Sequence, residues 1–270
     1  MEYFNIGKEE LGENSSLPLL KLGESGEVFY EIALRMVKEI EKNNEKGENT
    51  VFIVPVGPVG QYPIFVRLVN ERRLSLKNTY FFNMDEYLTD DKEYIDKDHR
   101  LSFRGFMDRE VYGRIDKDLV MDEDHRIFPD PKNPDKVYEK MKDLGGVDIC
   151  FGGIGITGHL AFNEPEDMDK EEFKKLSTRV LEISRETRTV NSIGDLNGAI
   201  SAMPKYAITL GMKEILSSRK IVIGVFRDWH RAVVRQTLYG EVSAKFPATL
   251  LRDHTDAIII ANDNASQKAF

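Results

Sequence analysis

Short apolar runs alternate with helix-like segments along most of this chain. The run at residues 51–55 (VFIVP) is bounded by turn residues, which is typical of a strand buried on both faces. Further strands are predicted at residues 80–83, 147–151, 179–183, 208–210, 221–225 and 257–261. Helices are predicted at residues 27–40, 64–72, 136–144, 212–216 and 229–238. This alternation predicts an α/β fold, a doubly wound, mostly parallel and Rossmann-like sheet with helices on both faces.

The length of the chain fits one domain with its own core. The chain has 270 residues and shows no internal repeat and no linker rich in proline or serine. Residues 1–16 lack a clear periodicity, and we expect them to form a loosely attached extension. We therefore predict an extension at residues 1–16 and a single domain at residues 17–270.

Composition excludes several classes of partner. The net charge of −8 argues against a nucleic-acid partner, because no basic stripe is present to neutralise phosphates. No apolar run approaches the roughly 20 residues of a membrane helix, and the acidic, polar start does not resemble a signal peptide. Cys150 is the single cysteine, so no internal disulfide can form. We expect a cytoplasmic protein.

An acidic pair follows the predicted strand at residues 80–83. Asp85 and Glu86 fall in a predicted loop beyond the carboxyl end of this strand, where ligands bind in open parallel sheets. A carboxylate there can act as a general base. An aspartate there can also cap a segment or hold a turn, and the pair taken alone favours this structural role.

A glycine-rich segment follows the predicted strand at residues 147–151. Its sequence, GGIGITGHLAFNEP, places four glycines before His159. Glycines let the backbone approach a ligand and turn its amides toward an anion, and histidine can transfer a proton near neutral pH. Glu164 is close enough in sequence to orient the imidazole. The alternative is a tight turn with a packed histidine.

The same segment contains a G-x-G-x-x-G string at residues 153–158, a weak signal for dinucleotide binding. A histidine follows directly, with no helix of the usual length and no acidic strand end about twenty residues on, so a nucleotide-binding domain ranks last. The remaining histidines are too scattered to predict a metal site.

Two motifs resemble signatures of the glucosamine-6-phosphate deaminase/isomerase family. The segment FNMDEY at residues 82–87 resembles one signature, and GHLAFNEP at residues 158–165 resembles the other. The related 6-phosphogluconolactonases share a Gly-His pair but not the Ala-Phe-Asn-Glu-Pro that follows it. Weaker similarity extends through residues 102–107, 187–191 and 203–207 to the end near residue 261, so the resemblance covers roughly residues 18–262. The resemblance implies the same fold over nearly the whole chain.

The resemblance implies a reaction without cofactor or metal on an amino sugar phosphate. One example is glucosamine 6-phosphate, which yields fructose 6-phosphate and ammonia, and galactosamine 6-phosphate is a close relative. By this resemblance, Asp85 moves a proton between C2 and C1, and His159, held by Glu164, opens the ring. Arg188 and Lys205 would bind the phosphate, although composition alone gives no reason to single them out. The other positions expected at the substrate are Gly57, Gly60, Gln61, Glu86, Gly155, Thr157 and Gly158.

The chain departs from the family pattern at two places. The family usually has Asn-Asp-Gly-His, and the missing carboxylate at Thr157 is expected to lower the basicity of His159. The family's phosphate loop normally reads Ser/Thr-Gly-Gly-Thr-Pro, whereas residues 56–61 read VGPVGQ and carry no hydroxyl. The amides near Gly57 and Gly60 and the side chain of Gln61 can still donate hydrogen bonds. We interpret these changes as a retuning of substrate or efficiency.

Two other functions are compatible with the same fold. One is a hydrolase of the 6-phosphogluconolactonase kind, against which residues 161–165 argue. The other is a non-catalytic protein that binds a sugar phosphate, although the chain shows no separate output module. A homo-oligomer is a candidate assembly, which one sequence does not decide.

Overall fold

The computed structural model of the protein describes residues 2–270 and contains two β-sheets. The strands are, in chain order, β1 (Leu19–Lys21), β2 (Thr50–Val54), β3 (Thr79–Asn83), β4 (Asp85–Leu88), β5 (Arg126–Ile127), β6 (Ile149–Gly152), β7 (Arg179–Glu182), β8 (Tyr206–Thr209), β9 (Lys220–Val225) and β10 (Ala257–Ala261).

Helices connect most of these strands. The α-helices are α1 (Ser25–Lys46), α2 (Gln61–Glu71), α3 (Phe103–Glu110), α4 (Lys136–Asp143), α5 (Lys170–Phe173), α6 (Arg185–Asp195), α7 (Met212–Leu216), α8 (His230–Tyr239) and α9 (Asp263–Ser266). Short 3₁₀ helices lie at Glu2–Asn5, Tyr112–Arg114, Glu123–His125, Ile200–Ala202 and Pro247–Asp253. Within residues 2–270, no helix combines the length and apolar character needed to cross a bilayer.

The main sheet is parallel throughout, in the order β1-β10-β9-β6-β2-β3-β5. Alternate residues of β2 face two separate cores, with Val51 and Ile53 on one side and Phe52 and Val54 on the other. Helices therefore cover both faces, which confirms the predicted fold class. The strand order reverses between β2 and β6, and such a switch point opens a crevice at the carboxyl ends of the strands.

A second, antiparallel sheet flanks this crevice, in the order β4-β8-β7. The strand β4 follows β3 after the single residue Met84, so residues 85–88 form a strand rather than the predicted loop. The runs at residues 179–183 and 208–210 were expected in the parallel sheet, but they form β7 and β8 here. Apolar runs indicate that a strand forms but do not indicate which sheet it joins, because pairing depends on distant partners.

Residues 2–16 are packed against α8 and the C-terminal segment. Leu11 is buried in the larger core, and the guanidinium of Arg235 donates to the carbonyl oxygen of Ile6 at 2.7 and 3.1 Å. The N–H of Gly12 donates to the hydroxyl of Tyr239 at 2.7 Å. These contacts attach the segment more firmly than expected from its polar composition. Its assignment as an extension separate from the domain stays a prediction.

Candidate active site

The loops that follow β2, β3, β6 and β9 enclose a cleft of about 410 Å³ at the switch point of the main sheet. Its lining includes Asp85 and His159, which the sequence placed at two different strand ends. The aromatic side chains that line it are Phe29, Tyr87, Phe103, Phe162, Phe226 and Trp229. The cleft therefore combines two groups capable of acid–base chemistry with a largely aromatic wall.

Asp85 begins β4 and presents its carboxyl to the cleft. Its side chain is almost fully buried, with the residue 8% exposed. Burial, assisted by the neighbouring charge of Glu86, raises the pKa of Asp85 to about 8. A carboxylate with a pKa near the working pH is a strong base when ionised, as general-base catalysis requires.

Glu86 lies outside the cleft, on the opposite face of β4, because successive side chains of a strand point to opposite sides. Its carboxylate accepts hydrogen bonds from the hydroxyl of Ser102 at 2.9 Å and from the N–H groups of Phe103 and Arg104 at 3.0 and 2.9 Å. It also forms an ion pair with the Arg104 guanidinium at 3.3 Å. In this position Glu86 fixes the first turn of α3 against β4.

His159 is held through its Nδ1 atom. The hydroxyl oxygen of Thr157 lies 2.9 Å from this atom, and the hydroxyl of Thr187 lies 3.2 Å from it. Thr157 donates its single hydroxyl proton in a hydrogen bond to Glu164 at 2.9 Å, so its oxygen accepts a hydrogen bond from the Nδ1–H group of His159. The Nε2 atom has no hydrogen-bond partner within residues 2–270, which leaves it free to exchange a proton with a ligand.

Glu164 supports this arrangement as a partly buried carboxylate. It accepts a hydrogen bond from Ser184 at 3.0 Å and lies 3.3 Å from His159 Nδ1. Burial raises its pKa, but hydrogen bonds and charge from His159, with further bonds from Thr187 and Thr157, outweigh burial and bring the pKa to about 2. Glu164 therefore stays ionised and stabilises the protonated imidazole.

Two glycines of the segment at residues 152–165 make room for neighbouring rings. A Cβ atom on Gly155 would lie 1.9 Å from the Nε2 and Cε1 atoms of His159. Gly158 has a φ of +81°, and a Cβ atom there would lie 2.6 Å from the ring of Phe246. Gly155 lines the cleft, whereas Gly158 and Thr157 lie behind it. Gly155 therefore leaves room for the imidazole, and Gly158 leaves room for the ring of Phe246.

The loop after β2 contributes Gly57 and Gly60 to the cleft wall, with a cis peptide bond between Gly57 and Pro58. Gln61 is buried behind the loop, and its side-chain N–H donates to the carbonyl oxygen of Pro58 at 2.8 Å. The ring of Phe29 covers Gly60 so closely that a Cβ atom there would lie 2.3 Å from it. The glycine at position 60 is required by this contact.

The two predicted phosphate ligands do not line the cleft. Lys205 is exposed just before β8, and Arg188 is half-buried on α6. The cationic side chain that does line the cleft is Arg227, which the sequence did not single out. Other contributors that the sequence analysis missed are Ser184, Thr187, Asn191, Asp195 and His230. The similarity noted at residues 187–191 was the only signal for this part of α6.

No cluster of three or more metal-ligating side chains is present among residues 2–270. The groups that converge on the cleft are instead a carboxyl of raised pKa and an imidazole backed by a carboxylate. Such a pair suits proton transfer at adjacent carbon and oxygen atoms.

The amino-acid sequence has curated relatives over most of its length. A glucosamine-6-phosphate deaminase from Bacillus pumilus is 30% identical over 214 residues, which cover 77% of this chain and 82% of the relative. This chain belongs to the glucosamine-6-phosphate deaminase family. The resemblance of the two motifs is thereby confirmed, as is the prediction that the chain is an enzyme of the deaminase/isomerase kind. No family model matches the chain.

Further comparisons agree with membership of the glucosamine-6-phosphate deaminase family. The glucosamine-6-phosphate deaminase of Mycoplasma mycoides is 27% identical over 243 residues, covering 88% of this chain and 93% of the relative. A solved monomeric glucosamine-6-phosphate deaminase superposes with a TM-score of 0.78 at 27% identity, covering 93% of this chain and 99% of that one. A 6-phosphogluconolactonase from Shewanella baltica has a TM-score of 0.65 at 14% identity, covering 91% and 97%, and shares the fold alone.

Proposed function

We propose that the protein catalyses the deaminating aldose–ketose isomerisation of an amino sugar phosphate, the reaction type for which its family is named. The observation that carries this proposal is the placement of Asp85 and His159 in one cleft, each in an environment suited to proton transfer. The relatives' names indicate glucosamine 6-phosphate as the first substrate to test.

His159 opens the sugar ring in the first step. The imidazolium gives its Nε2 proton to the ring oxygen as the C1–O bond breaks, and the C1 hydroxyl loses its proton to water. The open-chain aldehyde results. Glu164 stabilises the imidazolium before transfer, and Thr157 and Thr187 hold the ring in position.

Asp85 carries the second proton transfer. Its carboxylate removes the proton from C2, which is acidified by the adjacent carbonyl, and the carbonyl oxygen takes a proton from solvent to give an enol-amine. The carboxyl then returns a proton to C1, which leaves an imine at C2. Water adds to the imine, and ammonia leaves with formation of the ketose. A single positioned base typically contributes about 10²–10⁴-fold to such a rate.

The direct test is ammonia release and ketose formation from glucosamine 6-phosphate and from glucosamine. The intact protein is expected to release ammonia from glucosamine 6-phosphate, and Asp85→Asn is expected to lower kcat by about 10²-fold or more. Asp122→Asn, a change at an exposed ion pair with Lys77, is the matched control and should retain activity. No ammonia from either sugar, or full activity of Asp85→Asn, would contradict the proposal.

The location and assembly of the protein are further proposals. A cytoplasmic enzyme is supported by the metabolic activity named for its relatives. The solved relative with the same family name is described as monomeric, so a monomer is as compatible with the family as a homo-oligomer. Size-exclusion chromatography with light scattering distinguishes the two.

A further inference from the structure

Most arginine side chains of the described chain form hydrogen bonds or ion pairs with neighbouring residues. Within residues 2–270 the exceptions are Arg100, Arg185, Arg188 and Arg227, whose guanidinium groups have neither kind of contact. Two of the four lie on α6, and Arg100 and Arg227 are close enough to Asp195, at the end of that helix, to affect its ionisation. Guanidinium groups that lack a protein partner are available to an anionic ligand.

Arg227 is the member of this set that lines the cleft. It lies in the loop after β9, and its Nη1 atom is 3.8 Å from the place that a Cβ atom on Gly194 of α6 would take. The side chain therefore reaches from this loop to α6 at the edge of the cleft. Partial burial raises the pKa of Asp195, which also lines the cleft, and the charge of Arg227 opposes that rise. Asp195 accordingly attracts Arg227 toward the cleft.

His230 fixes the backbone from which Arg227 projects. Its Nδ1 atom accepts hydrogen bonds from the N–H groups of Phe226 and Arg227 at 3.0 and 2.9 Å. Its Nε2–H donates to the carbonyl oxygen of Ile154 at 3.0 Å. Because Nδ1 accepts, the ring is neutral, and burial lowers its pKa to about 3. The positive charge that this region presents to a ligand is therefore that of the exposed Arg227 side chain rather than of His230.

The order of the strands indicates which end of the substrate meets Arg227. The strands β3, β2, β6 and β9 are consecutive in the main sheet, so their carboxyl ends span about 14 Å at the usual spacing of about 4.8 Å. Asp85 follows β3, His159 follows β6 and Arg227 follows β9. In the proposed reaction C1 and C2 lie at Asp85 and the ring oxygen lies at His159, so the remote end of the sugar points toward β9.

Neutral donors line the same part of the cleft. The N–H groups of Gly57, Val59 and Gly60, in the loop after β2, donate to no other residue within 2–270. This loop packs against the end of β9, since a Cβ atom on Gly224 would lie 3.7 Å from Pro58. Such amides can donate hydrogen bonds to phosphate oxygens, and a nearby guanidinium adds the positive charge that a desolvated dianion requires.

We infer that Arg227 binds the phosphate of the substrate and determines the preference for the 6-phosphate over the unphosphorylated amino sugar. The inference rests on the proposed function for the orientation of the substrate. Arg188, predicted from the sequence as a phosphate ligand, lies on α6 with a buried Nε atom that has no hydrogen-bond partner among residues 2–270, and it is the candidate for a second cation. Arg227 is a separate contribution from the loop after β9, which neither motif indicated.

Binding of unreactive analogues tests Arg227 apart from the chemistry. The reduced sugars 2-amino-2-deoxyglucitol and its 6-phosphate lack the C1 carbonyl, so neither can be isomerised or deaminated. By isothermal titration calorimetry with the full chain, Arg227→Gln is expected to raise the Kd of the 6-phosphate about tenfold or more and to leave that of the unphosphorylated polyol unchanged. Arg185→Gln removes an exposed and equally unpaired guanidinium that does not line the cleft, so it is the matched control and should leave both Kd values nearly unchanged.

The inference fails if the intact protein does not bind the polyol 6-phosphate or if Arg227→Gln leaves its Kd unchanged. It also fails if Arg227→Gln raises the Kd equally for both analogues, because the variant would then disturb the whole cleft. An equal rise in Arg185→Gln would overturn it too, since any positive charge near α6 would then have the same effect.

Ammonia release separates this inference from the proposed function. If Arg227→Gln selectively weakens binding of the polyol 6-phosphate but the intact protein releases no ammonia from glucosamine 6-phosphate, the proposed function fails and the inference stands. If ammonia is released and Arg227→Gln has the same kcat/KM as the intact protein, the proposed function stands and the inference fails. A kcat/KM for glucosamine 6-phosphate that Arg227→Gln lowers about tenfold or more, together with the selective loss of binding, supports both.

Discussion

At the scale of single residues, the proposed chemistry depends on how the surroundings of two carboxyl groups set their charge. Asp85 and Glu164 are both withdrawn from solvent, yet their pKa values move in opposite directions. Asp85 gains a like-charged neighbour in Glu86, whereas Glu164 gains hydrogen bonds and the charge of His159. One carboxyl is therefore prepared to exchange a proton and the other to stay ionised.

The raised pKa of Asp85 predicts a carboxyl that titrates near pH 8. Carbon-13 NMR of the aspartate carboxyl groups should show one midpoint near this pH in the intact protein and none in Asp85→Asn. Because the base must be ionised, kcat/KM should fall about tenfold for each pH unit below the midpoint and level off above it. Absence of a carboxyl titrating between about pH 7 and pH 9 would contradict this account.

The raised pKa of Asp85 also determines whether the stability of the folded protein rises or falls with pH. The pKa of Asp85 in the folded protein lies above its ordinary value of 3.8. The folded protein therefore binds this proton more tightly than the unfolded chain does. Ionisation of Asp85 therefore destabilises the folded state progressively as the pH rises from about 4 to 8. Removing the ionisable group in Asp85→Asn should raise the free energy of unfolding at pH 8 relative to the intact protein.

The site residues show what a motif can predict. The sequence placed Asp85 and His159 at the carboxyl ends of different strands, and the fold brings them into one cleft. It did not indicate that Glu86 turns away, because it placed both acidic residues in a loop rather than in a strand with alternating faces. It also gave no physical reason to choose Arg188 or Lys205, and neither lines the cleft.

At the scale of elements, Glu86 joins β4 to the first turn of α3. Its carboxylate accepts from Ser102, Phe103 and Arg104, so it satisfies N–H groups that would otherwise lack partners inside the helix. This buried contact holds Asp85 in place from the opposite face of the same strand. Glu86 thus affects the site by holding Asp85 in position.

Glu86→Gln is expected to lower the free energy of unfolding by about 2–4 kcal/mol, because several charge-assisted hydrogen bonds and a buried ion pair are lost. Urea denaturation measures this cost. Glu110→Gln, at the other end of α3 in partly exposed ion pairs with Arg109 and Arg114, is the matched control and should cost less than about 1 kcal/mol. An equal cost for the two variants would show that Glu86 has no special structural role.

Elements formed by local pattern were easier to predict than those formed by pairing. The apolar stripe of α1 and the buried runs of β2, β3, β9 and β10 indicated their own structure. The short strands β1 and β5 carry too few residues for a pattern, and β4 is too polar to look like a strand. The second sheet exists because β8 pairs with β7 on one side and, on the other, with β4 from much earlier in the chain, which no local pattern reports.

At the scale of the whole molecule, the two groups proposed to react come from two sheets that meet at the switch point. Asp85 belongs to the antiparallel sheet, and His159 follows β6 of the parallel sheet. α6 supplies Thr187, which contacts the imidazole, and α1 supplies Phe29, which lines the cleft and packs against Gly60. The cleft therefore forms only when the two sheets, α1 and α6 are assembled.

The most direct measurement of the central claim is the position of deuterium in the ketose formed in D₂O. One carboxyl that delivers a proton to one face of C1 should place any solvent deuterium in a single stereochemical position, which proton NMR of the product resolves. Asp85→Asn should give no labelled ketose above the uncatalysed background. Deuterium distributed over both C1 positions, or normal labelling by Asp85→Asn, would contradict the assignment of Asp85 as the base.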